Sequence, residues 1–124
     1  MTTLTEGNTG GDFLLFEEDG HYSRDEVTIA AGADLVPGTV LGKITASGKY
    51  VRSVETAVDG SETAVAVLLT PAAAASADVT DAIAIAREAR VRRGGLVWDA
   101  TYDNATKRDA AVAALKAVGI LTDA

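Results

Sequence analysis

Hydrophobic and polar positions alternate over most of the chain in short stretches, the period-2 pattern of half-buried strands. Val27-Thr28-Ile29-Ala30 is the first such stretch, and Thr39 to Thr45 (TVLGKIT) is the second, with Gly42 a candidate bulge. Between them Val36-Pro37-Gly38 carries a turn signal: Pro pre-sets φ and Gly takes the position that needs φ > 0. Ser47-Gly48 leads into Lys49–Val54, a hairpin partner for the second stretch, and Asp59-Gly60-Ser61 marks a further turn. Thr63 to Thr70 (TAVAVLLT) is apolar nearly throughout, which predicts a central strand buried on both faces. Pro71 to Ala77 reads as an Ala-rich loop. Asp78 to Arg93 fits two periods. Thr80 or Asp81 would cap a helix; alternatively Ile83, Ile85, Ala89 and Val91 share one strand face, with Arg90 and Arg92 on the other. The shared parity of the β-branched residues favours strand over residues 79–93. Gly94-Gly95 then turns into a short strand, Leu96-Val97-Trp98. Near the C-terminus the period becomes helical. Asp103 or Asn104 is the N-cap, Ala110, Ala111, Ala114, Leu115 and Val118 form the apolar stripe, and Gly119 takes the C′ position. Ile120-Leu121 return to the body of the domain.

The first 25 residues follow neither period. Residues 1–12 are rich in Gly and Thr and hold almost nothing to bury. Phe13-Leu14-Leu15-Phe16 then places four large apolar residues in a row, including both phenylalanines of the chain, before Glu17-Glu18-Asp19-Gly20 ends the run. Such a run in a mobile tail is an aggregation hazard unless it docks somewhere. The alternative is that it forms the first strand of the domain. Docking four such side chains gains roughly 6–12 kcal/mol. Ordering the segment costs about 1–2 kcal/mol per residue, so a single arm binds weakly. Several arms on one oligomer bind tightly through avidity. The pattern therefore predicts an α+β, β-rich fold: a small mixed β-domain with one C-terminal helix at 26–124, preceded by a flexible docking arm at 1–25.

Composition supports one domain. The 124 residues are 48% hydrophobic, which suffices for a single core. There are no cysteines, so disulfides and thiolate metal sites are excluded. Charge is placed asymmetrically. Residues 1–26 hold seven acids and one base, Arg24, and so carry −6 of the chain's formal −7. An acidic chain lacking a broad basic patch is a poor ligand for nucleic acid. Met1–Asn8 has neither a basic nor an apolar signal region, so no signal peptide is expected. The apolar run Ala64–Leu69 is far too short to span a bilayer, and no membrane association is expected.

Little in the chain carries chemistry. His21 is the single histidine, and with no cysteine it cannot complete the usual zinc sets. Glu17, Glu18 and Asp19 are adjacent rather than opposed across an aromatic cleft, so they read as a solvated run and not a glycosidase pair. Gly10-Gly11 and Gly94-Gly95 lack the Lys-Ser/Thr of a phosphate loop. Arg87, Arg90, Arg92 and Arg93 form a basic cluster without interleaved stacking aromatics, which fits a solvated face or an intersubunit ion-pair patch. Trp98, the sole tryptophan, belongs to the core or to a subunit interface. These features predict no enzyme activity and no cofactor.

The order of motifs carries a resemblance. Phe13-Leu14-Leu15, Gly20, Ser23-Arg24, Val27-Thr28, Gly38-Thr39-Val40-Leu41-Gly42-Lys43 and Gly60-Ser61-Glu62-Thr63-Ala64 come in sequence. Ala66-Val67-Leu68-Leu69, Val91, Arg93-Gly94-Gly95-Leu96-Val97-Trp98, an Ala-rich helix and Gly119-Ile120 come after them. This order resembles the head decoration (capsid cement) proteins of lambda-like tailed phages over nearly the whole chain. The resemblance implies a homotrimer on the outer surface of the virion, made in the host cytoplasm. It would sit at three-fold and quasi-three-fold sites of the expanded head and stabilise the shell against packaged-DNA pressure. It also implies an N-terminal arm that orders on the capsid by adding a strand to the major capsid protein. Carried over, Phe13, Leu14, Leu15, Phe16, Tyr22, Ser23 and Arg24 are the capsid-binding candidates, and Arg93 and Trp98 the trimer-interface candidates. The loop lengths and the longer arm depart from lambda's own protein. The competing expectation is a small β-module that binds a carbohydrate or another small molecule, for which the chain is short of aromatics.

Overall fold

Ten strands and one α-helix form along the chain in a computed structural model that describes residues 14–17 and 23–123. The strands are β1 (Leu14–Glu17), β2 (Arg24–Ile29), β3 (Ala33–Leu35), β4 (Val40–Lys43) and β5 (Tyr50–Arg52). They continue with β6 (Ala64–Leu68), β7 (Ala72–Ala74), β8 (Val79–Ile85), β9 (Ala89–Arg92) and β10 (Ile120–Asp123). The helix, α1, spans Ala105–Ala117. This is the β-rich α+β class that the periodicity predicts.

Five strands close a barrel in the order β2-β5-β4-β6-β8. Its pairs are antiparallel except β2 with β5, where a parallel contact of one register pair, Ile29 with Tyr50, closes the ring. β4 and β6 form the wall between two apolar cores. Leu41, Ala66 and Leu68 pack with Val27, Ile29, Leu35, Ala82 and Ala84 on one side. Val40, Ala64 and Val67 pack with Ile85, Val91, Leu96, Tyr102, Leu115 and Ile120 on the other. Burial on both faces is why TAVAVLLT is apolar without alternation. Gly42 sits where the β4–β6 register shifts, and a Cβ there would lie 2.0 Å from the Ser61 carbonyl oxygen. The expected bulge thus doubles as a close approach of two backbones. The turn at Val36–Thr39 closes through the Thr39 N–H to the Val36 carbonyl, 3.2 Å.

Residues 79–93 are strand, as the parity of their β-branched residues favours, but they form two strands. β8 ends at Ile85 and β9 begins at Ala89, with Glu88 between them in the left-handed region at φ 45°. Ile85, Ala89 and Val91 are buried as expected, whereas Ile83 is half-exposed. Ala82 and Ala84 point from the opposite face of β8 into the barrel-side core. Three local expectations are corrected. Residues 71–77 are not all loop: β7 pairs antiparallel with β3, and Ala72 and Ala74 turn inward while Ala73 stays exposed. Gly94-Gly95 belongs to a 3₁₀ turn, Arg93–Gly95, and Leu96-Val97-Trp98 makes only an isolated bridge, Val97 to Thr39, rather than a strand. Along α1, Ala111 and Leu115 are buried, but Ala110 and Val118 face solvent. Asn104 is the N-cap, its side chain accepting the Lys107 N–H at 2.9 Å.

Candidate functional site: a bulged apolar strand at a sheet edge

β1, β9 and β10 form a separate three-stranded sheet with β9 in the middle. β10 runs parallel to β9 and β1 antiparallel. The β1 register shifts between Leu14, opposite Val91, and Phe16, opposite Arg90. Leu15 is therefore an extra residue in β1. A bulge breaks the two-residue alternation, so consecutive side chains need not face opposite ways. Here Leu14 packs against the core that holds Val91 and Ile120, while Leu15 and Phe16 remain 44% and 54% exposed. Two adjacent large apolar side chains on an edge strand are the arrangement that soluble folds ordinarily avoid.

Leu15 and Phe16 line a groove of about 580 Å³ with Glu88, Ala89, Arg90, Gly119 and Leu121. Cross-strand register places Phe16, Arg90 and Leu121 in one row across the sheet. Leu121 is itself 41% exposed, so the row is apolar at both ends with a guanidinium between. The sequence marks neither Arg90 nor Leu121 as a site residue. Leu121 reads there as part of the body of the domain, and only its alternation with buried Ile120 signals the outward face.

The strand is tied at its C-terminal end. Glu17 accepts two hydrogen bonds from Arg24, from Nε at 2.8 Å and from Nη2 at 2.6 Å. The hydrogen bond with Glu17 raises the Arg24 guanidinium pKa above the ordinary value; burial opposes this, and the charge of Glu17 adds a smaller rise. Next to it, the fully buried Ser23 donates from Oγ to the Glu88 carbonyl at 2.7 Å. Ser23 and Arg24 thus bracket the corner where β1 meets the β8–β9 connection. Phe13, Tyr22 and His21 lie outside the described residues. Arg93 and Trp98 do not line the groove. Arg93 forms an ion pair with Asp109 on α1. Trp98 is half-buried against the core, its ring centroid 5.3 Å from that of Tyr102. The neighbouring Asp99 carboxyl is pushed up by burial, but hydrogen bonds from Thr101 and the charge of Arg52 outweigh this and hold it below its usual value.

Two of the four arginines of the basic cluster pair with carboxylates within the chain: Arg87 with Asp25 at 2.5 Å, and Arg93 with Asp109. Among the described residues, no group of three or more His, Cys, Asp or Glu side chains is placed to hold a metal ion. No helix among them is long and apolar enough to cross a membrane. What the arrangement offers is a contact surface: a strand that, among the described residues, has β9 on one side only, with two apolar side chains facing out.

Comparison with known families adds a whole-chain match. The model of the family described as bacteriophage lambda head decoration protein D aligns with residues 3–120, nearly the whole chain. No curated protein matches the sequence.

Proposed function

The chain belongs to the bacteriophage lambda head decoration protein D family, whose members are structural, capsid-binding proteins, and from that premise we propose how this one decorates a head. It forms homotrimers that seat on the outer surface of the expanded phage head at three-fold and quasi-three-fold positions. There the trimers bridge neighbouring copies of the major capsid protein and resist the pressure of packaged DNA. The N-terminal arm, residues 1–25, docks by adding a strand to the major capsid protein. Main-chain hydrogen bonds supply the affinity, and Phe13, Leu14, Leu15, Phe16, Tyr22, Ser23 and Arg24 are the candidates for side-chain contacts. Trimers that bind only the expanded lattice favour that state by mass action.

The observation that carries this reading is the family match over residues 3–120. The edge geometry supports it, because Leu15 and Phe16 are already turned outward. Burying the exposed half of these two side chains on a partner gains about 1 kcal/mol each, roughly half the worth of a fully exposed one, which is weak for one arm. Three arms on one trimer meeting a repeated lattice make it tight through effective concentration. The acidic N-terminal region, net −6 over residues 1–26, makes docking sensitive to salt where it meets a basic capsid patch.

The test is co-sedimentation with expanded, undecorated heads, comparing the parent with the double variant Leu15→Ser, Phe16→Ser. The parent should saturate near one chain per capsid subunit, and the variant should bind at least tenfold more weakly while staying folded. Equal binding by the two would remove the strand from the docking surface. A folded parent that does not bind would end the docking reading altogether.

A further inference from the structure

We propose that β1 is a latched strand, held on its own domain by the Glu17–Arg24 ion pair and released when the protein docks. The inference rests on the docking reading above and concerns its regulation.

Docking that uses Leu14 as well as Leu15 and Phe16 competes with the contacts this strand makes in its own domain. As a docking strand, Leu14–Phe16 must offer both its main chain and its side chains to a partner. In the structure, one edge of β1 is paired with β9, and Leu14 is packed on the core beside Val91. The attachment is short and imperfect: four residues, with the register broken at Leu15. Pairing of that length with a bulge in it is marginal by itself. What closes it is the fork between Glu17 and Arg24, both partners less than one-third exposed, at the point where the chain leaves the sheet. A two-point carboxylate–guanidinium contact fixes geometry as well as proximity. Arg24 in turn stands on fixed ground, since it begins β2 opposite Ile85 and comes directly after the buried Ser23. The clasp therefore joins a weakly paired strand to the barrel.

Two consequences separate this from the carry-over of Arg24 as a capsid contact. A contact residue loses binding when it is removed. A latch residue gains binding, because the free protein no longer has to break the clasp before the strand can leave. Glu17 is the cleaner handle, because the resemblance assigns it no capsid contact. The absence of cysteine from the chain makes a covalent version of the latch simple to read. Glu17 and Ala89 are directly opposed in the register, at the separation that an engineered disulfide between antiparallel strands bridges.

The experiment measures binding to expanded undecorated heads by the full-length parent, by Glu17→Gln, and by Glu17→Cys with Ala89→Cys in reduced and oxidised form. Amide exchange across Leu14–Glu17 is followed in the free proteins. Glu17→Gln should bind about two- to fivefold more tightly, the range that a partly exposed ion pair allows, and its β1 amides should exchange faster. The oxidised double-cysteine protein should lose at least tenfold in affinity and regain it on reduction. Oxidised protein that binds as well as reduced protein would show that β1 never leaves β9. Glu17→Gln that binds no better than the parent, despite faster exchange, would show that the clasp does not oppose docking. Either result overturns the latch while the parent's own binding keeps the docking reading standing. A parent that does not bind removes both.

Discussion

β6 and β1 are both apolar segments, and they end in opposite situations. β6 has two strand neighbours and a core against each face, so Ala66, Val67 and Leu68 are wholly buried. Among the described residues, β1 has one strand neighbour, a bulge, and a core against one residue, Leu14. Apolar content does not distinguish them, since the large side chains of Leu14, Leu15 and Phe16 are at least the match of a strand in which two of five residues are alanine. What differs is the flanking chain. β6 lies between segments that themselves alternate and pair, whereas β1 comes after a Gly- and Thr-rich stretch with little to bury and before an acidic run. An apolar strand amid other strands builds the interior. An apolar strand outside that context is available to a partner.

The comparison breaks most sharply at leucine. Leu41→Ala or Leu68→Ala should cost about 2–5 kcal/mol, through lost transfer energy and a cavity in a closely packed core. Leu15→Ala should change stability by no more than about 0.5 kcal/mol, because nearly half of that side chain is in water. Denaturant curves on the three variants measure both. A loss above about 2 kcal/mol at Leu15 would mean that the folded species in solution already covers it, and the edge would then be part of an interface between copies.

Gly42→Ala probes the barrel wall from the other direction. The new methyl group would meet the Ser61 backbone on a facing segment, which cannot rotate away as a side chain can. Overpacking of this kind costs about 1–3 kcal/mol, and the melting temperature should fall by several degrees in a chain of this length. A neutral substitution would show that β4 and the Ser61 turn can move apart, and that the bulge is not a point of close packing.

The barrel strands, the helix and the apolar run are legible in the sequence because each has a signal strong enough to survive without its partner. TVLGKIT and the Ala111–Leu115 stripe carry periods that only one environment satisfies, and TAVAVLLT is an unbroken apolar run of strand length between turn signals. β3 and β7 are invisible for the opposite reason. Ala72–Ala74 is three alanines, which have low strand propensity, and it becomes a strand only because Ala33–Leu35 pairs with it. The break between β8 and β9 is equally silent, since Glu88 at positive φ is not a residue type that announces it. At the site, Leu15 and Phe16 are legible as a surplus of hydrophobicity, but the bulge that turns both outward is a property of pairing with β9. The Glu17–Arg24 fork is likewise beyond reach, because the acids there read as a solvated run. Arg24, a capsid-contact candidate by resemblance, is committed to Glu17 in the folded chain.

Asn104→Ala should cost about 1 kcal/mol, the ordinary worth of an N-cap, because its side-chain oxygen satisfies the Lys107 N–H. The loss should appear as fraying of the first turn of α1. Docking should be untouched, as α1 does not line the β1 groove. A docking defect in a folded Asn104→Ala protein would extend the functional surface to the helix.

The smallest effect lies at the seam of the barrel, where the comparison with β1 is closest. The parallel contact of β2 with β5 holds one register pair and one added bond, Ala30 N–H to the Tyr50 carbonyl. Asp78 clasps the chain beside it, accepting from Lys49 Nζ at 2.6 Å and from the Ala31 N–H at 2.8 Å. Those two bonds, Lys49 first, hold its carboxyl below the ordinary value of 3.8. A carboxyl whose folded pKa is depressed contributes stability that is present above the unfolded pKa and is lost as pH falls through the folded one. The seam clasp should therefore persist at neutral pH and open only below pH of about 3.9. The Ala31 amide resonance should report this with a midpoint below the ordinary carboxyl value, and Asp78→Asn should abolish the step. An Ala31 step that survives in Asp78→Asn would assign the acid response to another carboxylate. A step that vanishes would show that the barrel seam, like the edge strand, is closed by a side-chain clasp where main-chain pairing runs short.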